Sequence, residues 1–425
     1  MRVSMRTKTL SVTAAALMVL SACGGGGDGG DGGDDAGGGG GGSSEPLQLG
    51  YVLPETGQLA FLGPPQIEAT KYAISEINAA GGVLGQDIGD LVSGDEADTA
   101  AIASQSAERV LNADVDAIIG AAASGMSLAI IDKITGSQVV QCSGSNTAPT
   151  FTGYEDDGFY FRTAPSDAMQ GPVLAETIIG DGYSNVALIG RADDYGKGLV
   201  DATAEALESS GATVATKEMY DPKATNFDAV VQKASGAKPD AVVLIAFEEG
   251  KQILSGLVES GMTTDEVGLY GADGLRSEEL PELVNENDPS VLSGMKGTAP
   301  ASSANDAFLK DLQEFAPDLK ETQFAPQVFD CVNIIALAAE QAESTDPIDF
   351  KEEVGGVTKD GEECSTFEEC KGMIEEGTDI NYQGASGPLD FTDDGEPGAA
   401  SIEVYTFNDE GDLETVRVQD VTAEE

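Results

Sequence analysis

The chain has 425 residues, of which 75 are Asp or Glu and 22 are Lys or Arg, giving a formal charge of −53. Nucleic acid and anionic lipid surfaces are therefore poor partners. It contains no His and no Trp, which removes Ser-His-Asp and Cys-His catalysis, His-ligated zinc and His general bases.

The first element, residues 1–22, is built like a secretion signal. Arg2, Arg6 and Lys8 give it a positive start, and residues 10–20 give a mostly apolar stretch too short to span a bilayer. Leu20-Ser21-Ala22-Cys23 looks like a bacterial lipobox, which implies cleavage before Cys23 and a lipid on its thiol. Residues 23–45 then read as a lipidated cysteine and a tether. Positions 24–42 are only Gly, Asp and one Ala, a composition that buries nothing and stays disordered. A Gly-rich chain of this length spans roughly 25 Å. It lacks a preceding strand and a P-loop Lys, so it is no phosphate cradle. The expectation is an exported protein held by lipid on the outer face of a membrane.

About 380 residues remain, more than one hydrophobic core usually holds, so two lobes are expected. Residues 47–53 read as the first strand. Residues 115–120, 185–190 and 241–246 are apolar runs ending in a small residue, as strands covered on both faces are. Between them, Ile67, Ile74 and Ile77 share a helix face, as do Ala103, Ala107, Val110 and Leu111. Gly81-Gly82 stops the first of these helices. Alternating strand and helix predicts an α/β fold with mainly parallel sheets. Ligands of such sheets sit at the carboxyl ends of the strands. That directs attention to the loops 54–57, 121–125, 143–147, 193–196, 246–249 and 271–274.

An exported location favours disulfides among the cysteines other than Cys23. Cys364 and Cys370 lie six apart and are expected to pair. Cys142 and Cys331 are then left over, joined by a long-range bridge as the economical reading, or kept as two buried thiols.

Several short motifs occur in a fixed order. They are Leu53-Pro54 with Thr56-Gly57, Glu76-Ile77-Asn78-Ala79-Ala80-Gly81-Gly82, Phe161-Arg162-Thr163 with Asp167 and Gln170-Gly171, Asp194-Tyr195-Gly196, and Gly387-Pro388-Leu389. With them, nearly all of residues 46–425 resembles the type I periplasmic solute-binding proteins of ABC importers, in particular the branched-chain amino-acid (Leu/Ile/Val-binding) group. The resemblance implies two α/β lobes, each a mainly parallel sheet flanked by helices. It implies three hinge crossings, near 162–165, 296–300 and 398–402. One lobe would combine 46–164 with 298–399, and the other 165–297 with 400–425. Ligand would bind between lobes that close over it.

The resemblance also implies a receptor that catalyses nothing and needs no cofactor or metal. It would deliver a branched-chain or other neutral amino acid to an ABC permease with separate ATPase subunits. A ligand carboxylate can be held by backbone N–H groups and hydroxyls at a helix N-terminus. Ser124, which precedes a helix expected over 127–133, and the group Ser145, Asn146 and Thr147 match the family's carboxylate-holding positions. Ordinary capping and turn chemistry is the alternative. The ammonium needs an acceptor, and Asp273 falls where the family carries an acidic residue. Tyr195 is expected to face the cleft, with Phe247 where the family often has a tyrosine; Thr56 and Phe61 would line the wall. A sensor for a small solute, a receptor for short amides or urea, and a carboxylate-only hydrolase are the competing readings. The acidic field favours a zwitterionic or neutral solute over an anionic one.

Overall fold

The structure is a computed structural model that describes residues 45–301 and 306–423. The signal segment 1–22, the lipid site Cys23 and the tether as far as residue 44 lie outside the described residues.

The first sheet consists of β1 (Leu49–Val52), β2 (Ala117–Gly120), β3 (Val140–Ser143) and β4 (Tyr160–Arg162), paired in that order and all parallel. Every residue of these strands is buried, because helices cover the sheet. α1 (Gly63–Ala79), α2 (Ala100–Leu111) and α3 (Ser124–Thr135) alternate with the strands. Ala103, Ala107 and Val110 of α2 are fully buried, with Leu111 at the margin. Ile77 is the buried centre of the α1 face, and Ile67 and Ile74 pack at its edge.

Two glycines permit turns that no other residue would. Gly82, with φ +70°, ends the turn after α1, and a Cβ there would lie 2.0 Å from the Gln86 carbonyl oxygen. Gly120, with φ +106°, turns the chain out of β2, and its Cβ would lie 2.2 Å from the Val52 carbonyl oxygen. The second turn launches the loop that leads to Ser124.

The second lobe follows α4 (Asp167–Gly180). It contains β5 (Asn185–Arg191), α5 (Asp194–Ser209), β6 (Thr213–Tyr220), α6 (Asp228–Gly236), β7 (Ala241–Ile245), α7 (Gly250–Glu259), β8 (Gly268–Gly271), α8 (Leu280–Val284) and β9 (Lys296–Pro300). The chain then returns to the first sheet through α9 (Asp306–Phe315), α10 (Ala325–Gln341) and α11 (Pro347–Phe350). A small parallel pair, β10 (Glu362–Cys364) and β11 (Ile380–Tyr382), flanks α12 (Phe367–Glu375). β12 (Ala399–Phe407) and β13 (Leu413–Thr422) finally rejoin the second sheet, whose order is β13-β12-β9-β8-β7-β5-β6. It is parallel from β6 to β9, and β12 and β13 are antiparallel. The molecule is thus a two-lobed α/β protein with mainly parallel sheets.

α10 is buried along almost its whole length and crosses α1. Each of its side chains such as Ile334, Ile335 and Leu337 contributes about 1.5–3 kcal/mol through burial. Cys142 at the end of β3 is bonded to Cys331 of α10, and Cys364 of β10 to Cys370 of α12. The left-over cysteines are therefore a bridge and not two thiols.

Three features depart from the sequence reading. The helix after the 121–125 loop begins at Ser124 itself rather than at 127. β5 runs one residue past Gly190 to Arg191. β6 and β13 were not anticipated: both are edge strands with largely exposed faces, so they lack the apolar run by which covered strands are recognised.

Candidate ligand cleft

A small, partly open cavity lies among the loops at the carboxyl ends of strands of both sheets. Ser124, Ser145, Tyr195 and Asp273 line its polar side, and Leu59, Leu62, Phe247 and Phe324 its apolar side. Ala122 and Ala123 complete the floor. No lysine or arginine is among the lining residues.

On the first lobe, backbone supply dominates. Ser124 is the first residue of α3, where the opening amides have no intrahelical acceptor and the helix dipole is positive. The loop that carries it is held from behind by Glu96, whose carboxyl oxygens accept from the Ala122 and Ala123 amides at 2.6 and 3.0 Å. Burial pushes the Glu96 carboxyl up to about 8, against the pull of those two hydrogen bonds. Asn146 braces the same loop: its Nδ2 donates to the carbonyls of Ala121 and Ala122 at 3.0 and 2.8 Å. Its Oδ1 accepts from the Tyr160 hydroxyl at 2.9 Å. Ser145 reaches the cavity, donating to Gln66 Oε1 at 2.9 Å or to the Ala122 carbonyl at 3.2 Å.

On the second lobe, Asp273 is the centre. Its Oδ1 accepts from the Tyr195 hydroxyl at 2.9 Å and from Gln170 Nε2 at 2.8 Å. Tyr195 stacks on Phe247 with centroids 5.3 Å apart. The guanidinium of Arg191 lies 3.6 Å from the centroid of Phe247.

A second carboxylate faces this group. Asp167 opens α4, is wholly buried, and its amide donates to the Thr147 carbonyl at 2.7 Å. Neither Asp167 oxygen has a well-formed hydrogen bond to the protein, although the Thr147 hydroxyl stands beside it. Burial raises the Asp167 carboxyl far above the ordinary range and the charge of Asp273 raises it further, opposed by the Thr147 hydroxyl and the charge of Arg162. Burial raises Asp273 as well, opposed by the hydrogen bonds from Gln170 and Tyr195. Two buried acids whose charges repel resist ionising together, and the cation that does act on Asp167, Arg162, is itself paired with Glu396. The arrangement favours a positive charge beside Asp273.

Of the residues expected from sequence, Ser124, Ser145, Tyr195, Phe247 and Asp273 are gathered on one cavity. The side chain of Asn146 is occupied in holding the loop, and Thr147 is placed against Asp167 instead of the cavity wall. Thr56 is also turned away: its hydroxyl donates to Asp95 at 2.6 Å. Leu59 and Leu62, not Thr56 and Phe61, form that wall. Sequence reasoning did not give Asp167, Gln170, Glu96 or Arg191 a role at the site. For Asp167 and Gln170 a signal existed, since both stand in the motif that follows Phe161-Arg162-Thr163. Glu96 is one acid among 75 and carries no local mark.

The sequence profile described as "Periplasmic binding protein" matches residues 46–412. The chain is 24% identical over 368 residues to Leu/Ile/Val-binding protein homolog 3 of Brucella melitensis, covering 85% of this chain and 92% of that one. It is 27% identical over 363 residues to the chemotactic signal transduction system substrate-binding protein BasB of Halobacterium salinarum, covering 82% and 84%. Its fold is similar to that of the leucine binding protein LivK from Thermotoga maritima, with a TM-score of 0.73 and 22% identity over 88% of this chain and 98% of that one.

Proposed function

The chain belongs to the periplasmic binding protein family, and from that membership we propose that it captures a neutral amino acid, branched-chain or similar, for delivery to an ABC permease with separate ATPase subunits. The observation that carries this reading is Asp273, a buried carboxylate on the wall of a cavity lined by no basic side chain, whose charge acts on a second buried carboxylate, Asp167. An amino-acid ammonium supplies the missing charge as a charge-assisted hydrogen-bond donor. The start of α3 with Ser124 and Ser145 offers donors to the carboxylate. Leu59, Leu62, Phe247 and Phe324 surround an apolar side chain. A glutamate or aspartate side chain would meet no cation there. In this reading the lobes bind and close, and no covalent step occurs.

The signal, the lipid on Cys23 and the Gly/Asp tether complete the proposal: an exported receptor held on the outer face of the cell membrane. Likeness to BasB, a chemotactic substrate-binding protein, supports a second reading in which the same capture event signals to a membrane receptor. Co-purification from detergent-solubilised membranes separates the two, with a permease as partner in one case and a signalling receptor in the other.

A thermal-shift panel of amino acids, short amides, urea and sugars tests the ligand class. A ligand that binds only the folded state raises the melting temperature. Aliphatic amino acids are expected to raise it, and Asp273→Asn to abolish the rise. A rise confined to amides or urea would remove the ammonium from the scheme.

A further inference from the structure

Arg191 ends β5 and its side chain is 1% exposed. Two carboxylates of its own lobe already balance its charge: Asp193 at Nε, and Glu249 at 3.2 Å from Nη1. Each has other work. Asp193 caps α5 by accepting from the Gly196 amide at 2.9 Å, and Glu249 accepts from the Tyr220 hydroxyl at 2.7 Å. A third carboxylate comes from the other lobe. Asp98, in the segment between α1 and α2, accepts from Arg191 Nη2 at 3.2 Å on each oxygen.

The Asp98 loop is aimed at some conformational cost. Ala97 and Asp98 have φ of +49° and +44°, a left-handed conformation uncommon outside glycine. It is held by Asp95, whose Oδ1 accepts from the amides of Glu55, Thr56 and Ala97 at 3.1, 3.2 and 2.9 Å. Two residues before Asp98, Glu96 holds the Ala122–Ala123 amides. One short loop thus supports the ligand floor of the first lobe and touches the second. On the second lobe, Arg191 lies against Phe247, Phe247 stacks on Tyr195, and Tyr195 donates to Asp273.

We propose that Asp98 and Arg191 form an interlobe latch, a contact made as the lobes close that fixes Phe247 and Tyr195 against the ligand and slows its release. This rests on the reading of the protein as a receptor that closes over an amino acid. Arg191 acts as a positioning residue through Phe247 and does not line the cavity. A contact formed only at closure acts on departure more than on encounter.

The test measures release of radiolabelled L-leucine from the full mature chain, chased with unlabelled L-leucine, beside the association rate. Asp98→Asn keeps the shape and one acceptor but removes the charge. It is expected to speed release about tenfold while association stays within about twofold. Asp98→Glu, which keeps the charge, is expected to recover much of the slow release. Arg191→Lys, which keeps charge but loses the planar face over Phe247, is expected to release as fast as Asp98→Asn. Wild-type release in Asp98→Asn, or an effect confined to association, would overturn the latch. If the wild-type chain binds no L-leucine, the ligand reading fails separately. The latch is then decided with whichever radiolabelled amino acid or short amide raises the melting temperature of the wild-type chain: faster release from Asp98→Asn than from wild type supports it, and equal release overturns it.

Discussion

Capture of an ammonium by Asp167 and Asp273 must expel a proton. Both carboxyls sit above the ordinary aspartate value of about 3.9, raised by burial and, for Asp167, by the charge of Asp273. Before capture, the pair therefore keeps a proton at a pH where exposed aspartates are ionised. An ammonium between them favours both ionised forms, so the bound-state pKa lies below that of the ligand-free pair. Affinity then rises with pH between those two values and levels off above the higher one. Loss of one proton per ligand corresponds to a dissociation constant that falls about tenfold per pH unit inside the window. Calorimetry with L-leucine in two buffers of different protonation enthalpy, stepped from about pH 4.5 to about pH 7.5, counts the protons directly. Asp273→Asn removes the lesser of the two causes that raise Asp167, burial being the larger, so the window of proton release should move to lower pH and the release at its upper end should shrink. The same variant loses a charge-assisted hydrogen bond worth about 1.5–3 kcal/mol, or roughly 10- to 150-fold in affinity. Tight binding with no proton release anywhere in the range would refute the placement of the ammonium between the two acids.

Three further outcomes follow from the same geometry. Glu96 has a folded pKa raised to about 8 from an ordinary 4.5. Its stabilisation is therefore complete below the unfolded value and is lost as pH rises through the folded one. Melting temperature should fall between about pH 4.5 and about pH 8 and level off above, more steeply in wild type than in Glu96→Gln, and a wild-type rise relative to Glu96→Gln would contradict it. Removing the Cys142–Cys331 bridge, with a sequence separation of 189, should lower stability by about 5 kcal/mol on the loop-entropy account. The Cys364–Cys370 bridge, with a separation of 6, should matter by about 2 kcal/mol; urea denaturation of the two double-alanine variants gives the order, and its reversal would count against that account. Cys23→Ser should shift the protein out of the membrane fraction, and unchanged fractionation would remove the lipid anchor from the proposal.

The parallel strands of both sheets were legible because helix-covered strands are apolar without interruption, as residues 241–245 are. The rule that the carboxyl ends of such strands carry the ligand pointed to loops, and the family resemblance picked out Ser124, Ser145, Tyr195, Phe247 and Asp273 within them, which line one cavity. Edge strands were not legible, because β13 alternates half-exposed valines with polar residues and resembles a solvated loop. Asp167 stands in a motif that gives it no role by itself, because its meaning depends on a partner 106 positions away that only folding brings near. Arg191 lies one residue beyond the apolar run that ends at Gly190, where the sequence pattern gives no sign that the strand continues. Buried charge is visible in three dimensions as a missing counter-ion, and the linear chain carries no mark of it.

The bridge from Cys142 to Cys331 has a consequence for how binding is driven. It fixes the residue immediately before the Ser143-to-Thr147 loop to α10, while Glu96 and Asn146 immobilise the neighbouring loop. Both donor loops of the first lobe are thus ordered before any solute arrives. Little backbone entropy remains to be lost there on capture. The motion left to the system is the swing of one rigid lobe against another. A reducing agent should therefore weaken affinity through an unfavourable entropy change, with the heat of binding nearly unaltered.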